Sequence, residues 1–167
     1  RPLAGKLEVT NGMGIFVLGE TLTVVFTDIG RARWQMGRET IYLRPDPAHP
    51  AGDLLEAALR DKARTVFAER LAHFAPLQGV AAPPLRLSSA RTRWGSCSHR
   101  GGIALNWRLI LMPLAIVDYV VCHELAHLRE MNHSPRFWSV VEQLCPDWQA
   151  RRLELRRLGK QLLVAGY

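Results

Sequence analysis

Two histidines and a glutamate stand in the middle of the most apolar part of this chain, YVVCHELAHL from Tyr119 to Leu128. A third histidine follows where that run breaks, in REMNHSPRFW. An unpartnered charge moved out of water costs several kcal/mol or neutralises itself, so the fold has to supply something that compensates these groups. The surrounding positions follow helical spacing: Leu114, Val117, Val121, Leu125 and Leu128 line one side, while Ile116, Val120, His123 and His127 lie along another. The pattern predicts a helix from Pro113 to about Met131, buried nearly all round.

That helix sets the chemistry. His123 and His127, four apart, project about 40° apart from one face, close enough for both imidazoles to hold a single metal ion at about 2.0–2.1 Å. Glu124 points about 100° away, so it cannot easily share the ligand position. It can instead reach a water at the metal, where a general base for zinc hydrolysis belongs. On an unbroken helix His133 would sit about 15 Å beyond His123, out of reach of any shared ion. The chain therefore has to turn before it. Asn132 is a residue that tolerates the left-handed conformation ending a helix, and Ser134 with Pro135 supplies an N-cap and a favourable first position for the next helix. His133 then falls in a sharp corner from which it can fold back as the third protein ligand, leaving the fourth position open as catalytic zinc requires. With six His and nine Glu in the chain, chance produces an HExxH in about one shuffled sequence in a hundred. The alternative, two satisfied core histidines and a surface glutamate, has to explain why these three are the only polar groups between Val120 and Leu128.

The rest of the sequence places this helix in an α+β fold. A length of 167 residues with 48% hydrophobic content suffices for one core, hence one domain over 1–167, with a β-rich part at 1–50 and a catalytic core at 51–167. IFVLG, TLTVVFT and ETIYLRP read as a small antiparallel sheet over residues 7–44. Asp53 and Glu56 have the form of a capping box. After them Leu55, Leu59, Ala63, Val66, Phe67, Leu71 and Phe74 mark an amphipathic helix. LRLSSARTRWGSCSHRGGIALNW reads as two strands joined by a Ser-His-Arg-Gly-Gly turn, with RTRWGSCS as an exposed edge. Either Arg93, Trp94 and Ser96 on that edge line a substrate cleft or, on the plain alternative, Trp94 anchors packing and Arg93 is a surface charge. Arg93 is a candidate to stabilise charge on a tetrahedral intermediate, Asn106 is a candidate on the same terms, and His99 in the turn could contact substrate. Phe137 and Trp138 read as core.

No uncharged apolar run of about 18 residues exists, so a membrane span is not expected. Cys97, Cys122 and Cys145 are odd in number, far apart and without a CxxC pair, which points to a reducing compartment, the cytoplasm. The chain starts at Arg1 without an initiator methionine or signal-type segment and reads as trimmed. Its net charge of +7 is uneven, with +5 in residues 85–112, which hold no acid, and +3 in 134–167. Nucleic acid or nucleotide is thus a possible partner of the basic segments 85–112 and 151–160, against a solvated surface as the plain alternative.

RTRWGSC, IALNWRLILMP, YVVCHELAHLREMNHSPRFW and CPDW together resemble the YgjP-type metallopeptidase family, related to the WLM and SprT-like zincins. The resemblance covers roughly Leu85 to Leu158. It implies a zincin-like core with a β-hairpin edge and an active-site helix, zinc as cofactor held by His123, His127 and His133, Glu124 as catalytic base, and a peptide or protein as substrate. The same resemblance leaves a metal-dependent nucleotide pyrophosphatase as an alternative activity. A third possibility is a nucleic-acid-associated module that retains zinc without turnover.

Overall fold

A computed structural model describes residues 8–30 and 32–162; residues 1–7, 31 and 163–167, which the single-domain reading included, lie outside it. The first fifty residues give β1 (Gly14–Val17), β2 (Glu20–Phe26), β3 (Trp34–Met36) and β4 (Thr40–Leu43). Alternation buries Leu22, Val24, Ile41 and Leu43 on one face and leaves Thr21 and Thr23 exposed on the other. The strand order is β1-β2-β4-β3. Pairs β1/β2 and β3/β4 are antiparallel as the sequence suggests, but β2 and β4 run parallel, so the sheet is mixed. The cause is β3, too short for its pattern to register in sequence: it takes the edge and leaves β4 to slot beside β2 in the same direction. The two-residue turn between β1 and β2 has both φ positive, Leu18 at 53° and Gly19 at 83°, the twist that such a hairpin needs. This turn rests on the segment leading into the histidine helix, with the Leu18 amide donating to the Ile110 carbonyl at 2.9 Å and Gly19 beside Pro113.

Helix α1 (Ala51–Phe74) buries all seven apolar positions named above. The capping box does not form: the helix starts at Ala51 with Pro50 at its N-cap and no side-chain cap there. Pro50 is extended, so helical backbone begins as soon as the proline-rich run ends, and Asp53 falls inside the first turn, where its charge favours the positive end of the helix. After a short 3-10 turn at Pro76–Gln78 come β5 (Leu85–Ser88), β6 (Gly95–Cys97) and β7 (Ile103–Asn106). They form a second sheet in the order β5-β7-β6. β6 and β7 make the expected hairpin, β5 adds parallel to β7 on the far side, and β6 is left as an edge. The register puts Arg86, Ala104 and Ser96 in one row on the outer face. Leu85, Ile103 and Cys97 form the next row on the face that packs into the core.

Helices α2 (Leu114–Ala126), α3 (Pro135–Leu144) and α4 (Trp148–Gln161) complete the fold. α2 is enclosed by α1, α3, α4, β6 and β7, and every residue from Ile116 to Ala126 is buried. Among the described residues no helix is long and apolar enough to cross a membrane. A two-point ion pair fixes α2 against α1: Arg70 Nε donates to Asp118 Oδ1 at 2.7 Å and Nη2 to Oδ2 at 2.9 Å. Removing the carboxylate leaves the guanidinium uncompensated at a helix interface. The pair is partly exposed, so Asp118→Ala is expected to cost about 2 kcal/mol in denaturant unfolding, and Arg70→Met combined with Asp118→Leu should recover most of that loss.

Candidate metal centre

α2 ends earlier than its apolar pattern suggests. The last helical residue is Ala126 and the cap is His127 itself; the expected extension to Met131 does not occur. Past Glu124 the backbone tightens to three-residue bonds, with the amides of His127, Leu128 and Arg129 donating to the carbonyls of Glu124, Leu125 and Ala126 at 3.0–3.1 Å. The Gln78 side chain caps the same end, donating from Nε2 to the Leu125 carbonyl at 2.8 Å. Asn132 does not make the turn by a left-handed conformation, since among the described residues the only non-glycine positive φ belongs to Leu18. A succession of tight right-handed turns reverses the chain instead. The restart follows the sequence: Ser134 caps α3, its hydroxyl accepting from the Phe137 amide at 3.4 Å, and Pro135 takes the first position.

The reversal brings the three histidines together. One ligand atom from each of His123, His127 and His133 can be chosen so that all lie within 4.8 Å of one another, and His127 Nε2 is 3.1 Å from His133 Nε2. Two ligands about 2.05 Å from a tetrahedral ion would stand about 3.3 Å apart, so the spacing fits a metal. The far side of each inner ring is anchored. His127 Nδ1 faces the Glu130 carbonyl at 3.1 Å, and a carbonyl only accepts, so the proton sits on Nδ1 and the lone pair on Nε2. His123 Nδ1 lies 2.9 Å from Glu124 Oε2, which fixes the same tautomer. Burial falls off through the set, from His123 (1% exposed) through half-buried His127 to exposed His133. The cluster thus opens to solvent on one side only.

Electrostatics agree with neutral rings. Burial holds His127 below the ordinary histidine value despite the opposing charge of Glu124, and burial together with the two neighbouring imidazoles does the same for His133. Cys97, packed against the core from β6, has its thiol pushed up by burial and, to a lesser degree, by the charge of Glu124.

The remaining sequence candidates divide. Arg93 and Ser96 line a depression on the second sheet, together with Arg86, Cys97 and Ala104. Trp94 is 0% exposed and belongs to the core cluster. Asn106, also 0% exposed, donates to the carbonyls of Ala90 and Arg93 and accepts from the Arg108 amide, so it pins the loop before β6 rather than meeting a substrate. His99 is exposed in the Ser98–Gly102 turn. Phe137 is core, as the sequence suggests, but its place against the histidines is new. Its ring centroid lies 4.5–5.0 Å from those of all three histidines, which makes it the floor of the cluster. The signal was available: the Ser134–Pro135 cap fixes the start of α3 and so turns Phe137, four residues after His133, back toward it. Trp138 beside it stacks on Trp148 at 4.3 Å, with the Arg152 guanidinium 5.0 Å from its ring.

Comparison with known proteins places this geometry. No curated protein sequence matches the chain. Among solved structures, the crystal structure of the metallopeptidase zymogen abylysin from Pyrococcus abyssi is similar, with a TM-score of 0.53 and 23% identity over 59% of this chain and 99% of that one. That likeness establishes a shared fold. The model of the YgjP-like metallopeptidase domain matches residues 4–158, almost the whole length, and the chain accordingly belongs to that family of metal-dependent peptidases.

Proposed function

We propose that the metal is zinc, held by His123, His127 and His133, and that Glu124 is the general base for peptide-bond hydrolysis. The observation that carries this reading is the convergence of three imidazoles from a helix, its cap and the following corner, with a buried carboxylate alongside. An all-imidazole donor set suits zinc better than the oxygen-seeking magnesium or calcium. Zinc, when bound, supplies a Lewis acid that polarises the scissile carbonyl and lowers the pKa of water. Glu124 takes the proton of the attacking water and delivers it to the leaving amine nitrogen as the C–N bond breaks. One of its oxygens orients His123. The Glu130 carbonyl holds His127 in the metal-facing tautomer, and Phe137 excludes water from behind the rings. Phosphoanhydride hydrolysis would instead call for carboxylates that hold magnesium. One hydrophobic cluster spanning both sheets and all four helices supports treating the chain as one domain, and three free cysteines support a cytoplasmic setting.

Metal analysis of the purified chain should give close to one zinc per molecule, and His123→Ala or His127→Ala should abolish it. Glu124→Gln should keep the metal and lose about a hundredfold or more in turnover of an unfolded protein substrate. If hydrolysis of nucleoside triphosphates is the activity that vanishes in that variant, the peptidase assignment is wrong. Zinc retention should also follow the histidines. Protons compete for the same nitrogens, and both shifted rings titrate below the ordinary value of 6.5, so zinc is held through pH 7 and released only as the pH falls beneath that value. Release already complete at pH 7 would contradict the assignment.

A further inference from the structure

The second sheet carries a cavity of ≈ 400 Å³ whose lining includes none of the three histidines and not Glu124. Its lining includes the small residues Ser96 and Ala104, which sit in register with Arg86 across β6, β7 and β5, along with Cys97 and Ile103 of the next row. Arg86 and Arg93 stand at its margin, both exposed. Among the described residues neither guanidinium has a hydrogen-bond or ion-pair partner. Residues 85–112 contain five arginines and no acid, so no carboxylate from this segment competes for them.

The cavity is lined by residues of all three strands and reaches β6, one of the two edges of that sheet. An extended peptide added to an edge places alternate side chains on alternate faces. A residue on the outer face would lie next to Ser96 in the same row and would point into the cavity. We propose that this cavity is a subsite for an acidic side chain of the polypeptide substrate, with Arg93 and Arg86 as its cationic walls. The proposal rests on the peptidase reading and adds a substrate class to it. A peptide is favoured over nucleic acid because a strand edge offers a ladder of backbone groups that matches a polypeptide. The second basic segment, moreover, is largely engaged within the fold: Arg151 pairs with Asp147, Arg157 with Glu154, and Arg152 lies over Trp138.

The test uses the zinc-loaded Glu124→Gln chain and fluorescein-labelled twelve-residue Ala/Ser peptides in which a single glutamate, or its glutamine counterpart, is walked along the sequence. At one position glutamate should bind about tenfold tighter than glutamine, the effect of a charge-assisted contact in a partly open site. Arg93→Gln and Arg86→Gln should each bring that ratio toward one, Arg93→Lys should retain most of it, and Arg93→Glu should transfer the preference to lysine at the same position. Thermal unfolding of each variant close to the parent's shows that the effect is local. Equal binding of glutamate and glutamine at every position, or a preference indifferent to both arginines, overturns the subsite. So does an oligonucleotide that binds in an Arg93-dependent way while the glutamate peptides do not. Because the ratio is read from binding, a wild-type chain that cleaves no peptide would overturn the peptidase reading without deciding the subsite, which the ratio decides by itself.

Discussion

A straight α-helix can aim two imidazoles at one point but never a third ten residues along, so the whole site depends on α2 stopping at its own second histidine. His127 is both a donor to the cluster and the cap of the helix. Its Nδ1 engages the Glu130 carbonyl, one of the backbone groups exposed by the reversal, while Nε2 faces His133. One ring therefore stabilises the break in the helix and uses it. An alanine at this position would remove one of the three clustered imidazoles and a contact across the turn together, which ties the local fold of residues 127–133 to the cluster more closely than at His123, where the helix continues regardless.

The constancy of that arrangement comes from enclosure. α2 has no solvent face from Ile116 onward, and such a helix cannot rotate or slide without opening voids against α1, α3, α4 and the hairpin. Gln78 holds its last turn from one side, Phe137 backs the rings from another, and the Trp138–Trp148 stack joins α3 to α4. The same enclosure decides which group can carry charge. Glu124 is 1% exposed, and a carboxylate that deep is compensated by the imidazole beside it. The question posed by two histidines and a glutamate in an apolar run thus has a local part, each acid or ring paired with its neighbour, and a collective part, a shared centre that the lone pairs face.

Much of this was legible in the chain. The i, i+4 spacing of His123 and His127, the Ser-Pro restart of α3, the helical pattern of α1 and the hairpin around Ser98–Gly102 are local signals, and local signals survive into the fold. What was not legible depends on partners distant in sequence. β3 shows itself only by pairing with β4, and the parallel β2/β4 contact follows from where β3 goes. The end of α2 was misjudged because Leu128 and Met131 continue the apolar pattern after the hydrogen bonding has already changed. Trp94 and Asn106 looked available because they sit in a polar stretch. The loop before β6 folds over them, and Asn106 uses its amide to hold that loop in place.

The hairpin gives the two halves of the molecule a common ruler. Gly95 and Cys97 share the face of β6 that packs toward the histidine helix, and Ser96 between them shares the face with Arg86 and Ala104. Residues on one side of a strand repeat about every 6.6–6.8 Å. A polypeptide laid along this edge would present one residue toward the carboxylate side and its neighbour toward the arginines. Recognition and cleavage would then be separated by a single backbone step, set by the pleat and not by any loop. In that arrangement the arginines need not approach the metal to influence which bond is cut. It is enough that they fix the register of the strand, because a shift of one residue exchanges the two faces completely.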